Sequence, residues 1–172
     1  MRLRLVDPET VSAGMIPAFG AENALLTAGT ADRCNTMTIG WCQLGRMWNT
    51  RSCTVCVRPE RYTYQFMEEQ EYFTVSILPA EQKSAMALCG TKSGRDMDKI
   101  KECGLTVRTG EHGAPFFEEA ELVLVCRKLY VQDMDPACVL PAGEKVILPY
   151  YGAKGGWHRV YTGEIVEAWS AR

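Results

Sequence analysis

In residues 120–131, Leu122, Leu124, Cys126 and Lys128 alternate against Val123, Val125, Arg127 and Leu129. In residues 157–169, Val160, Thr162, Glu164 and Val166 alternate against Tyr161, Gly163, Ile165 and Glu167. A period of two sustained over a dozen residues is the pattern of a long β-strand. Between the two runs lie loop residues 142–144 and 152–156, and no helix long enough for a crossover. The second half of the chain is therefore predicted to be mostly sheet.

The first half carries shorter strands. Residues 24–29 read as a core strand ending at Gly29. Residues 35–41 place Met37, Ile39 and Trp41 on one face and Thr36 and Thr38 on the other. Residues 52–57 form a third strand. Residues 71–78 form a fourth, with Phe73, Val75 and Ile77 facing one way. Helical spacing is confined to short stretches. Tyr62, Phe66 and Met67 predict a helix over 59–70 with Pro59 at its first position. Pro79 predicts a second helix through Met86 and Leu88, closed by Gly90. Ser93, with Asp96 three residues on, predicts a third, stopped by Gly104 and Leu105. A short strand at 105–108 and turn chemistry at 112–115 follow. Many strands and a few short helices, without regular alternation between them, predict a mainly β, barrel-like α+β domain rather than a doubly wound parallel sheet.

The chain has 172 residues, 47% hydrophobic and 23% charged, with a net charge of −2. That fits one globular domain over residues 1–172 and gives no electrostatic footprint for nucleic acid. No apolar run approaches the roughly 18 residues of a membrane helix. The N-terminus, Met1-Arg2-Leu3-Arg4-Leu5-Val6-Asp7-Pro8, lacks the apolar block of a signal peptide, so the expected location is cytoplasmic. Eight cysteines are then expected to be reduced and to pack as small hydrophobes. Cys53 and Cys56 are spaced as C-x-x-C, but inside a strand they point to opposite faces, which opposes a shared metal.

No dinucleotide or phosphate-loop glycine signature is present, and two histidines give no pairing for a nucleophilic triad. What remains is a set of polar and cationic groups at element ends. Asn35, Thr36 and Thr38 lie on one strand. Arg58, Arg61 and Thr63 surround one helix start. Ser93, Gly94 and Arg95 surround another, with Lys99 a turn further on. Taken singly, each has an ordinary reading as a cap, a strand former or a solvated charge. Together they offer two helix N-termini and several cations to one phosphate.

Three ordered motifs carry a resemblance. They are Asn35-Thr36-Met37-Thr38-Ile39-Gly40-Trp41, then Val57-Arg58-Pro59-Glu60-Arg61-Tyr62-Thr63, then Cys89-Gly90 through Ser93-Gly94-Arg95-Asp96 with Asp98-Lys99. The ending, Tyr150-Tyr151 and His158-Arg159-Val160-Tyr161 with Gly163-Glu164-Ile165-Val166, joins them. The sequence resembles the flavin reductase-like family, which includes flavoredoxins and the reductase components of flavin-dependent monooxygenases.

The resemblance implies an FMN-binding split β-barrel of Greek-key type with a few short peripheral helices, working as a homodimer. It places Asn35, Thr36, Met37 and Thr38 against the flavin ring and ribityl chain. It places Arg58, Arg61, Tyr62 and Thr63 near the phosphate, with Ser93, Gly94, Arg95 and Lys99 closing that end. His158 and Arg159 fall near the flavin, with a reach across the dimer interface, and His158 is the one candidate for a catalytic group. The implied activity is an NAD(P)H-dependent flavin reductase, with a redox protein or monooxygenase as possible partner. The alternative is a non-enzymatic, flavoredoxin-type electron carrier. Cys34, Cys42, Cys53 and Cys56 crowd the strands expected to border the flavin, a departure from the family pattern.

Overall fold

A computed structural model describes residues 3–7, 24–152 and 156–171. The expected loop at 152–156 lies partly outside the described residues, as do Met1, Arg2 and Pro8. The strands are β1 (Arg4–Val6), β2 (Ala24–Gly29), β3 (Cys34–Ile39), β4 (Cys42–Met47), β5 (Thr50–Val57), β6 (Tyr72–Ile77), β7 (Val107–Thr109), β8 (Pro115–Phe117), β9 (Leu122–Asp133) and β10 (Arg159–Ser170). The α-helices are α1 (Tyr62–Glu69), α2 (Lys83–Thr91), α3 (Lys99–Glu102) and α4 (Glu144–Ile147). Mainly β structure with a few short helices is what the patterning predicts.

One antiparallel sheet runs β3-β2-β6-β9-β10-β5-β4, with β1 added to β10; β7 and β8 pair separately. The two ends of that path, β3 and β4, are neighbours in sequence, joined through Gly40 and Trp41, so the sheet curls back on itself and stays unladdered at that seam. The inner faces meet in one core of Leu26, Val55, Phe66, Phe73, Val75, Leu124 and Tyr161. A second cluster, including Leu25, Phe116, Phe117 and Val123, packs on the other face. The long strands β9 and β10 are aligned from Arg159 opposite Asp133 to Ser170 opposite Leu122, with register shifts at Thr162/Gly163 and Ile165/Glu167. Those bulges displace the alternation read from sequence by one face at each shift.

The helices depart from expectation at their starts. Residues 58–61 form a turn, closed by the Arg61 N–H on the Arg58 carbonyl at 3.0 Å. Pro59 thus serves as the second turn residue, a role its fixed φ suits as well as a helix start. The helix begins only after Arg61, its N-cap, and buries Thr63, Phe66 and Met67. A short 3-10 turn, Ala80–Gln82, precedes α2. Gly90 lies inside the last turn of α2 rather than beyond it. A Cβ there would sit 3.3 Å from the Thr38 Cβ, so Gly90 serves the close packing of α2 on β3.

The third helix is the largest correction. Residues 93–96 form a turn in which Ser93 Oγ accepts from the Arg95 N–H at 3.2 Å and the Asp96 N–H donates to the Ser93 carbonyl at 3.1 Å. The helix starts at Lys99, capped by Asp98, whose carboxylate accepts from the Lys101 N–H at 3.1 Å. A serine that can close a local turn competes with its own use as a cap. The stop is as expected: Gly104 has φ +63 and the Leu105 N–H reaches back to the Ile100 carbonyl at 3.0 Å.

The eight cysteines are all free thiols. Cys53, Cys89 and Cys126 are buried and Cys138 is exposed, so the uniform burial expected of them does not hold. Cys53 and Cys56 do lie on opposite sides of β5, one in the core and one half-buried.

Candidate functional site

The cleft is built where β3, the start of α1 and the 92–99 segment meet. Asn35 is buried at the N-terminal end of β3, and its Nδ2 donates to Thr63 Oγ1 of α1 at 2.7 Å. That bond ties the strand to the helix start. Met37 and Thr38 follow along β3. Thr38 Oγ1 donates to the Met86 carbonyl at 2.6 Å, tying β3 to α2. Across from β3 stand Arg61 and Tyr62, and the remaining side is the turn Ser93, Gly94 and Arg95 with Lys99 behind it. These residues, together with Thr63, line one cavity of about 170 Å³. Gly94 forms part of its wall because nothing larger fits: a Cβ would land inside contact distance of Asn35 Oδ1 and 2.8 Å from Tyr62 Cδ1.

Cations dominate this cleft. Lys99 is only 4% exposed, and its Nζ donates to the Cys89 carbonyl at 3.2 Å. A cation is of the right sign there, since Cys89 lies in the last turn of α2. Burial lowers the basicity of Lys99, and Arg61 adds to the effect. Arg95 donates to the Glu60 carbonyl at 3.1 Å and lies over the Tyr62 ring at 5.0 Å. Among the described residues, no carboxylate lies within ion-pair distance of Lys99, Arg61 or Arg95. A buried ammonium with one carbonyl partner keeps unused donors and an unmatched charge.

Four expected site residues stand elsewhere; one of them, Arg159, is held by Asp133 and Glu68. The Thr36 side chain turns inward to β2, accepting from Thr27 Oγ1 at 2.9 Å and donating to the Leu26 carbonyl at 3.2 Å. Arg58 donates to the Tyr150 carbonyl at 2.6 Å and lies over the Tyr151 ring. His158 pairs through Nδ1 with the Tyr151 hydroxyl at 2.9 Å and packs against Trp41, ring centres 4.6 Å apart. Arg58 and His158 thus belong to an aromatic wall with Trp41, Tyr150, Tyr151 and Trp157, outside the lining of the cleft. Burial, then the Arg58 charge, pushes the His158 imidazole down to about 4, so it is neutral at pH 7.

Glu60, Cys89, Gly90, Thr91 and Lys92 also line the cleft, though the sequence reading did not select them as site residues. All five lie within the quoted motifs or the span one of them covers, but none was singled out as a site residue. A larger cavity of about 610 Å³ adjoins it, sharing Thr38, Gly90 and Thr91 and continuing along Leu78, Pro79 and Met86. A polar, cationic recess thus adjoins a larger one of mixed lining, apolar along Leu78, Pro79 and Met86 and cationic at Lys83. This suits a ligand with an anionic end and a flat apolar body.

Among curated protein sequences none matches this chain. Solved structures share its fold. A flavoredoxin from Methanosarcina acetivorans is 24% identical with a TM-score of 0.67, over 87% of this chain and 68% of that one. An FMN-binding protein from Thermus thermophilus with bound p-hydroxybenzaldehyde is 20% identical with a TM-score of 0.69, over 98% and 82%. An FMN-binding domain of a flavin reductases-like enzyme from Shewanella baltica is 18% identical with a TM-score of 0.66, over 98% and 76%. The family model of the flavin reductase like domain matches residues 16–172, and the chain belongs to that family.

Proposed function

We propose that the cleft binds FMN and that the protein is an NAD(P)H-dependent flavin reductase, a single domain working as a homodimer. The observation that carries this reading is Lys99: a buried ammonium with no carboxylate partner, in a recess that also holds Arg61 and Arg95. A phosphate monoester supplies the missing charge and accepts the spare N–H groups. Arg61, Ser93, Gly94, Arg95 and Lys99 would hold the phosphate, the Ser93–Arg95 backbone approaching closely because residue 94 has no side chain. Asn35, Met37 and Thr38 would border the flavin, with Tyr62 and Thr63 fixing Asn35 and Arg95 in place. Bound flavin would supply two-electron redox chemistry between a reduced nicotinamide and an acceptor. The protein then needs no acid–base triad; its tasks are to bind, orient and exclude water.

Arg58 and His158 enter this reading as a second wall. His158, neutral and held by Tyr151, presents an uncharged imidazole beside Trp41. A second copy of the chain would cover the apolar surface of Leu129, Tyr130, Val131 and Leu140, which are exposed. That surface borders a groove of about 660 Å³ that also takes in Met134, Val139 and Ile147. Sedimentation of the wild type and of Tyr130→Glu tests this, with a dimer expected for the first and a monomer for the second.

The decisive experiment is a visible spectrum of the purified protein, followed by anaerobic addition of NADH or NADPH. Flavin absorbance that bleaches with a reduced nicotinamide is the expected result. Protein that stays colourless after incubation with FMN would overturn flavin binding. Flavin that stays oxidised with both nucleotides, yet is reduced by dithionite, would replace the reductase with an electron carrier.

A further inference from the structure

The proposed function leaves all eight cysteines unused. Two pairs bring their thiols together. Cys42 and Cys53 have sulfurs 3.5 Å apart, and Cys89 and Cys103 have sulfurs 3.9 Å apart. The first pair is diagonal on a ladder: Cys42 is opposite Val55, while Cys53 is opposite Leu44. Diagonal neighbours sit about 7–8 Å apart at Cα, beyond the usual disulfide span. Cys53 is also fully buried in the core, on a strand whose ladder holds it in place. The second pair joins the end of α2 to the cap that ends α3, so no ladder fixes its spacing. Cys103 is half-buried and donates to the Ala85 carbonyl at 3.8 Å. Cys89 is buried, its thiol pushed up to about 12 by burial first, and it lines the cleft.

We propose that Cys89 and Cys103 are a redox modification site, forming a reversible intramolecular disulfide that closes the segment carrying Ser93, Gly94, Arg95 and Lys99. All four lie between the two cysteines in sequence. Lys99 is coupled to both ends: its Nζ holds the Cys89 carbonyl, and its own carbonyl accepts from the Cys103 N–H at 3.0 Å. The oxidant is a low-molecular-weight disulfide. The more accessible Cys103 attacks it as thiolate, releasing one thiol and forming a mixed disulfide. Cys89 then displaces the second thiol, so two S–H bonds are lost, one protein S–S bond forms, and the small disulfide becomes two thiols. Closure brings the sulfurs to about 2 Å and draws the end of α3 toward α2. The segment between them loses freedom, and the cleft it lines is better organised for an anion.

The disulfide itself does not depend on the flavin reading; its effect on the cleft rests on it. The test uses the full chain carrying Cys138→Ser, which removes the exposed thiol. Fully reduced protein is incubated with oxidised glutathione, alkylated and mapped by mass spectrometry. The expected result is joint loss of two alkylatable thiols and a cross-linked peptide joining Cys89 and Cys103, absent in Cys103→Ser and restored to two thiols by dithiothreitol. Continued alkylation of both cysteines, or a lasting glutathione adduct at Cys103, overturns the proposal. Amide hydrogen exchange over 92–98 is expected to slow in the oxidised protein, and unchanged exchange overturns the clasp while leaving the bond. FMN affinity is expected to rise by roughly three- to tenfold on oxidation. If FMN binds neither form while the cross-link maps as expected, the flavin reading fails and the disulfide stands.

Discussion

Two groups of cations in this molecule have opposite company. Arg159 on β10 is gripped from both sides. Its Nε and Nη2 donate to the two oxygens of Asp133 at 2.7 and 2.8 Å, and its Nη1 donates to Glu68 at 2.7 Å. Arg127 is likewise matched to Glu164 at 2.7 Å, which also accepts from Thr50 at 2.9 Å. In the cleft, Lys99 has a carbonyl, Arg95 a carbonyl and an aromatic ring, and Arg61 no described side-chain partner. The first group answers its charges within the chain and holds strands together. The second leaves them for something else. Charge alone does not distinguish a structural cation from a binding one; Arg159 and Arg127 are answered by carboxylates, while Lys99, Arg61 and Arg95, which line the cleft, are not.

Removing the buried cation separates the two groups most sharply. Lys99→Met is expected to weaken FMN binding by roughly tenfold to a hundredfold, the loss of one charge-assisted contact worth about 1.5–3 kcal/mol. The same change is expected to raise the stability of the flavin-free protein, because an uncompensated buried charge is removed. Urea unfolding with and without FMN reads both effects. A flavin-free variant less stable than wild type would show that Lys99 is chiefly a cap on the end of α2.

A smaller effect is expected at the turn. Arg61→Ala weakens FMN binding by about threefold to tenfold, as an exposed and partly screened contact, whereas Arg58→Ala leaves it near wild type and instead loosens the Tyr150–Tyr151 segment. Equal losses from the two, measured by flavin fluorescence titration, would put Arg58 back at the phosphate. On the matched side, Arg159→Ala is expected to lower Tm slightly with no change in FMN affinity. A change in affinity would break the division between the groups.

The smallest effect concerns pH. The His158 imidazole titrates near 4 when folded, against an ordinary value of 6.5. As pH falls below 6.5 the unfolded chain takes the proton first, so stability drops between about 6.5 and 4 and is unaffected by this group above that window. His158→Gln is expected to flatten that part of the stability–pH curve, leaving the further loss at lower pH due to Asp133, held below the ordinary range by Arg159, and Glu164, held below it by Thr50 and then Arg127. Identical curves for variant and wild type would show that His158 is solvated.

The strands were legible as apolar runs bounded by turn residues or as alternation; β2 and the first half of β9 are buried on both faces, and β2, β6, β9 and β10 fall within about two residues of the ranges read from sequence. The edge strand β4 was missed although Cys42 and Leu44 alternate with exposed Gln43 and Gly45, since six residues at an edge bury too little to stand out. The helix starts were misplaced because Pro59 and Ser93 suit turns as well as caps, and only tertiary contacts decide between those uses. Much of the cleft was legible, but through the order of three motifs rather than through any one residue. The positions of Arg58 and His158 were not, because what removes them from it is remote in sequence: the Tyr150 carbonyl and Tyr151 ring for Arg58, and Trp41 for His158.

The path of the sheet bears on how the chain reaches this state. Strands β2, β3, β4, β5 and β6 come early, yet β6 and β5 are bridged only by β9 and β10. The two halves of the early chain can each form hairpins at once, but they acquire a fixed mutual register only when residues 122–170 arrive. Such non-local pairing makes for slow folding and for an interval in which strand edges stand open. A nascent chain lacking β10 would carry Asn35, Thr63 and Lys99 without the completed sheet that fixes their places. The cleft is then completed late, in one step, rather than assembled piece by piece as the motifs emerge.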